Sequence, residues 1–459
     1  MPCEWKLANV VPVFKKGSKS TPGNYRPISL TSVCCKLFEH ILTSNIATYM
    51  ESNNYFSNEQ FGFRKRRSCE MQLARVCQDI ASTLDKGESA DLVFLDFAKA
   101  FDKVPHQRLL SKLKAYGISD NLVRLIESFL TGRMQQVVLD GEVSEKREVT
   151  SGVPQGSVLG PLLFIIYIND LPNLLSCKIK LFADDCLLYR IIRSPEDHQA
   201  LQSDLAKIDD WCTVWQMSLN YDKCEVMHIS TSRNPDTFPY VLGPAVLNST
   251  DTYKYLGVNI HKNMKWFHHI DQMISKCKRT LYVTRKVLHR SPTNVKTMAY
   301  FTLIRPILEY ACAVWDPKDI GLISSIEMVQ RKAARFCTNR YGTTDSVTEM
   351  LNKLEWDSLE QRRKANRLSL FSRVYNGASG LEDLTVSTRP SSYISRNDHQ
   401  HKVAEIRCSK NVGQSSFLPR SIKEWNGLPE SFFNTCDLAN QQQVRSFLLK
   451  LFREQISDN

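Results

Sequence analysis

The 459-residue sequence contains no CxxC pair, no apolar run long enough to cross a bilayer, no internal repeat and no low-complexity tract. Each absence removes a class of protein. The fourteen cysteines are scattered, and Cys34 and Cys35 are adjacent. Without paired spacings neither a zinc finger nor a disulfide framework is indicated, and free thiols in a reducing compartment are expected. The longest apolar run, Val158 to Ile168, is interrupted by Gly160 and Pro161. It falls well short of the roughly 20 residues of a spanning helix, so no membrane segment is expected. The first residues, MPCEWKLANVVPVFKKG, lack the charged-then-apolar order of a signal peptide, and secretion is not expected.

What is present is a composition of 42% hydrophobic and 24% charged residues, that of a folded chain with a sizeable core in two or three structural units. The net charge of +12 is unevenly placed: residues 1–67 carry +6 and residues 261–310 carry +8, which leaves the rest slightly acidic. Two basic lobes flanking an acidic middle suit a protein that grips a phosphate backbone beside a carboxylate site. Solvated helix faces would produce the same count.

The segment WKLANVVPVF reads as a strand, followed by a turn holding Pro22 and Gly23. SVCCKLFEHILTSNIATYM has helical spacing, and another helix opens near Met71. DLVFLDF, residues 91–97, is the short continuous apolar run of a strand buried on both faces. KIKLFADDCLLY reads as a β-hairpin turning at its acidic centre, and residues 196–216 as an amphipathic helix. From Asp271 the pattern is mainly helical, with a Ser-, Asn- and Gly-rich stretch over 376–415 read as a loop. The expected divisions are an α+β core over 1–260, a helical basic segment over 261–340 and a helical C-terminal region over 341–459.

Asp96 ends an apolar strand, and Asp184 and Asp185 stand at a hairpin tip. A carboxylate at the end of a buried strand is costly unless it meets a cation. Three of them on neighbouring strands suit Mg²⁺, which takes oxygen ligands and commonly one or two carboxylates plus substrate phosphates. Two such ions, with Mn²⁺ as a substitute, could activate a 3′ hydroxyl and stabilise a leaving pyrophosphate. Taken alone, the hairpin pair reads first as an ordinary turn, where Asp is common.

The ordered series DFAKAFD, SGVPQGSVLGPLLF, FADD, NYDKCEV and YLGV resembles palm motifs A to E of reverse transcriptases. VPVFKKG with NYRPISL, and QFGFRKRRS, resemble the finger motifs of the non-LTR, LINE-like branch. RPILEYACAVW, IEMVQRKAARF and SFLPRSIKEWNGLP resemble the thumb and tail of its jockey and CR1-like members. The resemblance implies a right-hand polymerase fold with fingers, palm and helical thumb. It makes Asp96 and Asp184 metal ligands, with Asp185 completing the acidic site, and Phe101 a steric gate that selects deoxynucleotides. It assigns Gln155 and Gly156 to the nucleotide site, the glycine by allowing close backbone approach to the substrate. Lys16 or its neighbour Lys15, together with Arg26, would hold the triphosphate, and Arg64, Lys65, Arg66 and Arg67 would meet template phosphates. Lys223 would protonate the pyrophosphate, and Tyr255, Leu256 and Gly257 would form a primer grip. The pair His268 and His269 lacks a partner cluster and is read as surface or nucleic-acid-contacting.

The implied partners are an RNA template, a DNA primer or target DNA, and dNTPs, with the nucleus as the expected location and cytoplasmic RNA–protein particles as the alternative. No endonuclease, ribonuclease H pattern or Cys/His knuckle is recognised, so the chain is expected to be a fragment of a longer polyprotein. Of two rivals, a viral RNA polymerase is opposed by Phe101 and Ala183, and an inactive nucleic-acid-binding relic by the intact Asp96, Asp184 and Asp185.

Overall fold

The computed structural model describes residues 1–232, 235–377, 380–381, 384, 386–388 and 399–457. They form two compact units. The first joins Met1–Lys65, Asp91–Val226 and Asp236–Ser249, and the second joins Arg66–Ala90, Met227–Pro235 and Thr250–Asn459.

Apart from Ser89, Ala90 and Met227–Ile229, which group with the second unit, the strands of the first unit are β1 (Leu7–Phe14), β2 (Tyr25–Leu30), β3 (Ser89–Asp96), β4 (Arg133–Leu139), β5 (Glu142–Val143), β6 (Arg147–Val149), β7 (Lys178–Phe182), β8 (Asp185–Ile192), β9 (Glu225–Ile229), β10 (Val241–Leu242), β11 (Ala245–Val246) and β12 (Asn248–Ser249). One sheet runs β12-β9-β3-β8-β7, which sets the acidic end of β3 beside the β7–β8 hairpin. Ala90 through Leu95 of β3 are all buried, as its unbroken apolar run requires of a central strand. A second sheet runs β2-β1-β4-β5, with β6 on β4. There β1 pairs antiparallel with β2 and parallel with β4. The helix Leu159–Tyr167 is apolar all round and buried along almost its whole length, the property of a helix inside a core. Around it pack the helices Val33–Ser52, His106–Ala115 and Asp120–Leu130. The helix Pro195–Trp215 begins with a capping box between Ser194 and Asp197 and buries Leu201, Leu205, Ile208 and Trp211.

The second unit holds the hairpin of β13 (Thr252–Tyr255) and β14 (Val258–His261) and a set of helices that includes Cys69–Asp85, Phe267–Val287, Ile320–Thr338 and Leu359–Tyr375. Its interior is pinned by charge as well as by apolar packing. Asp316, 3% exposed, takes Arg363 Nε at 2.6 Å, Arg420 at 3.1 Å and Arg367. Burial alone would raise this carboxyl, but Arg367, Arg420 and Arg363 outweigh it and hold the group below the ordinary Asp value.

The two units do not break the chain at 260 or 340: residues 66–90 group with those after 250. The helical character expected after Asp271 is present, beginning at Phe267. Of the 376–415 stretch, positions 389–398 and several neighbours lie outside the described residues, and Asn411–Ser415 forms a helical turn. The histidine pair divides. His268 is exposed and stacks on His261 at 4.9 Å, whereas His269 is buried against Trp315, its ring nitrogen accepting from Asn259 N–H at 3.3 Å. Burial, with the Lys254 charge, lowers His269 to about 4, so the surface reading fails for this residue.

Candidate functional site

Asp96 leaves β3 where the sheet meets solvent, and its backbone is fixed on both sides. Asn220 N–H donates to the Asp96 carbonyl at 2.7 Å, and Ala98 N–H donates to the Ser218 carbonyl at 2.8 Å. The neighbouring hairpin turns tightly, with Phe182 opposite Asp185 and only Ala183 and Asp184 between them. Ala183 has φ 55°, a left-handed conformation that costs a residue with a Cβ about 1–2 kcal/mol. Such strain persists where surrounding contacts over-determine it. Here the Gln60 side-chain oxygen accepts N–H bonds from Ala183 at 3.0 Å and from Gly62 at 2.8 Å.

The three carboxylates share one cavity of about 1220 Å³ with Lys15, Lys19, Arg26 and Lys223. Asp184 is raised above the usual Asp range by burial and by Asp96, although a backbone N–H bond, Arg26 and Lys15 pull it back in part. Asp185 is open to the cavity, yet the protein around it, then Asp184 and Asp96, push its carboxyl up to about 6. Lys223 Nζ lies 3.2 Å from Asp96 Oδ2, with both side chains well exposed. Such an exposed pair contributes little to stability, about 1 kcal/mol at most, and is easily exchanged for another cation. In contrast to Asp316, which its arginines hold low, Asp184 and Asp185 stay raised by burial and by their neighbouring carboxylates despite the cations around them.

Phe101 also lines the cavity. Its ring stacks on Phe164 at 4.5 Å and meets Phe63 edge-on at 6.5 Å, so core packing holds one side of a ring whose other side faces the opening. The segment SGVPQG braces this loop: Val153 N–H donates to the Phe101 carbonyl at 2.7 Å and Gly152 N–H to the Val104 carbonyl at 2.9 Å. At Gly152 (φ 85°) a Cβ would stand 2.5 Å from the Asp102 carbonyl oxygen, which demands glycine. Gln155 lines the cavity, and its side-chain oxygen is buried without a hydrogen-bond partner, an acceptor left for something that enters. Gly156 has a different reason from the expected one. A Cβ there would meet the Ser29 carbonyl oxygen at 2.6 Å, so the backbone it approaches is that of β2.

The donors fit a divalent cation that arrives with its substrate. Among the described residues no group of three His, Cys, Asp or Glu side chains could hold a metal ion alone. Carboxylate oxygens gathered in one cavity are nevertheless the hard donors Mg²⁺ prefers, and Mg²⁺ commonly completes its shell with substrate phosphates.

Other expected site residues are placed as follows. Lys15 lines the cavity and Lys16 does not, so of the two neighbours the first fits the triphosphate role. Lys19, Lys99 and Asn220 line it as well, and Lys99 and Asn220 lie within motifs, DFAKAFD and NYDKCEV, that bear expected site residues. Arg64 does not fit a phosphate contact: its side chain is 6% exposed and clamps Glu51 through two bonds of 2.9 and 2.7 Å. Lys65 and Arg66 are exposed, and Arg67 is half-buried. In the second unit Tyr255 is buried and its hydroxyl accepts from Gln72, so this side chain anchors the turn and cannot itself touch a nucleic acid. Leu256 (φ 43°) and Gly257 (φ 84°) make the two-residue turn whose central positions both need positive φ. Tyr310 O–H donates to the Leu256 carbonyl at 2.8 Å and steadies it.

Carboxylates at the ends of adjacent strands, with a basic rim and an aromatic ring in the same cavity, are chemically suited to a polyphosphate and its cation. The model of the reverse transcriptase (RNA-dependent DNA polymerase) family matches residues 13–260, more than half of the chain, and the chain belongs to that family. Its described elements, helices packed with mostly antiparallel sheets, are of the α+β class. Over 358 residues it is 30% identical to the probable RNA-directed DNA polymerase from transposon BS of Drosophila melanogaster, covering 74% of this chain and 39% of that one. Over 341 residues it is 31% identical to the RNA-directed DNA polymerase from mobile element jockey of Drosophila funebris, covering 72% and 37%. A solved structure of apo telomerase from Candida tropicalis is similar with a TM-score of 0.45 and 9% identity, over 79% of this chain and 61% of that chain. The chain spans less than two-fifths of the length of these curated relatives.

Proposed function

We propose that this chain is the RNA-directed DNA polymerase part of a jockey-like, non-LTR transposon protein, adding dNTPs to a primer 3′ hydroxyl on an RNA template. The observation that carries the reading is the single cavity shared by Asp96, Asp184, Asp185, Phe101, Arg26 and Lys15. Asp96 and Asp184 would hold divalent cations, Mg²⁺ or in its place Mn²⁺, with Asp185 as the adjoining carboxylate. The chemistry such bound ions supply is activation of the 3′ hydroxyl and stabilisation of the leaving pyrophosphate.

The chain's own residues do the rest. Lys15, Lys19 and Arg26 meet the triphosphate with charge-assisted bonds. Phe101 sits beneath the sugar, where its ring leaves no room for a 2′ hydroxyl, and the unpartnered Gln155 oxygen receives a donor from the nucleotide. Lys223 reaches the Asp96 carboxylate, and its ammonium would protonate the leaving pyrophosphate. Lys65 and Arg66 contact template phosphates, and the turn at Leu256 and Gly257 seats the primer end. Residues 261–340 serve as the thumb, and chromosomal DNA primed in the nucleus is the expected substrate.

The test is primer extension on an RNA template with Mg²⁺ and dNTPs. Extension by the unmodified chain and none by Asp184→Ala, Asp185→Ala is expected. Salt-sensitive RNA binding without extension would instead support a relic that keeps the fold alone.

A further inference from the structure

Resting on that polymerase reading, we propose that Gln60 is a positioning residue for the acidic hairpin: its side-chain oxygen fixes the Ala183 turn and so sets where Asp184 and Asp185 present their carboxylates. Gln60 is 0% exposed and lies far from the hairpin in sequence. Gln60 meets Leu181 of β7 in a single parallel β-bridge. Leu181 N–H donates to the Glu59 carbonyl at 2.9 Å, and Phe61 N–H to the Leu181 carbonyl at 2.8 Å. Glu59 also pairs with Lys180, whose side chain is 3% exposed.

Two residues past the bridge, Gly62 abuts the hairpin turn. A Cβ at Gly62 would stand 2.4 Å from Ala183 N and 2.9 Å from the Phe182 carbonyl carbon, both backbone atoms that cannot swing aside. At that point the bridge gives way to the Gln60 side chain, whose oxygen takes the N–H of Ala183 and of Gly62 together. Ala183 is 4% exposed, so its N–H has no water to turn to. Without the acceptor, nothing among these contacts holds a non-glycine residue at φ 55°, and the turn can relax to a geometry in which the two carboxylates point elsewhere. Gln60 thus stands behind the carboxylates as an outer partner stands behind a metal ligand, where substitution typically costs 10–100-fold in affinity or activity.

The test compares the full chain with Gln60→Met, which keeps length and loses the acceptor, Gln60→Glu, which keeps an oxygen at that reach, and Gly62→Ala. Mn²⁺ binding is followed by electron paramagnetic resonance, the half-saturating Mg²⁺ for primer extension by titration, and folding by thermal unfolding. The expected result for Gln60→Met is Mn²⁺ binding and Mg²⁺ half-saturation weakened about tenfold or more, with KM for dNTP at saturating Mg²⁺ unchanged and Gln60→Glu restoring both. Mn²⁺ affinity unchanged within about twofold in Gln60→Met, or equal losses in Gln60→Met and Gln60→Glu, would overturn the proposal. Should Gln60→Met not fold, Gly62→Ala decides: weakened Mn²⁺ binding supports the positioning role and unchanged binding contradicts it. Should the unmodified chain bind Mn²⁺ but extend nothing, the polymerase reading fails while the Mn²⁺ comparison still judges Gln60.

Discussion

Two groups of aspartates show opposite uses of the same side chain. In the second unit Asp316 is buried among Arg363, Arg367 and Arg420, which hold its carboxyl low. In the first unit Asp184 and Asp185 crowd Asp96 with one exposed lysine on it, and their carboxyls are pushed up. A neutralised carboxylate stabilises the fold it sits in. A carboxyl that burial and neighbouring carboxylates keep raised is poorly stabilised as an anion, the arrangement suited to a cation that comes from outside. The three arginines and the three aspartates therefore mark a structural centre and a chemical one.

The largest expected effect separates these centres by activity. Asp184→Asn should lower primer extension on the order of a thousandfold, as removing an electrostatic stabiliser does, while thermal unfolding in EDTA stays at or above that of the unmodified chain. Asp316→Asn should do the reverse, removing about 3–5 kcal/mol of stability because it breaks a buried ion cluster in which Arg363 loses its 2.6 Å carboxylate partner while Arg367 and Arg420 keep Glu424. Denaturant titration at pH 7 measures it. The sign with pH follows from a depressed folded pKa. The Asp316 contribution is complete above the unfolded Asp value of about 3.9 and is lost as pH falls through the lower folded value, so the two proteins should converge in acid.

A third, smaller effect concerns what the chemical centre accepts. Phe101→Ala should raise rNTP use relative to dNTP use by about 10- to 200-fold, the range a hydrophobic pocket supplies. Competition between the two nucleotides reads it directly, and unchanged discrimination would leave the ring as core packing against Phe164 alone. The smallest concerns the basic loop. Lys65→Ala with Arg66→Ala should reduce the salt dependence of RNA–DNA binding by a slope of about 2, one per phosphate contact, without loss of stability. Arg64→Ala should instead act on stability, since that guanidinium is committed to Glu51.

These contrasts also show which features could be read from the residues alone. The buried β3 ending at Asp96 and the hairpin ending at Asp184 were legible because local periodicity and a tight turn determine both. The choice of Lys15 over Lys16 was not, since both lie past the end of β1, where no local signal says which side chain turns inward. His269 looked like its exposed neighbour until the packing of its helix turned it against Trp315. Gln60, Asp316 and the Gly156 contact with Ser29 are tertiary facts, made by residues far apart in the chain. The grouping of residues 66–90 with those after 250 is of the same kind: the Cys69–Asp85 helix has ordinary amphipathic spacing, and its partners lie elsewhere in the chain.

The most direct test of the contrast is a single preparation of Asp184→Asn, Asp185→Asn, melted in EDTA and assayed for primer extension on an RNA template. The expected result is a melting temperature no lower than that of the unmodified chain, together with loss of extension. A melting temperature that falls as far as that of Asp316→Asn, or extension that survives, would contradict the assignment of these carboxylates to chemistry.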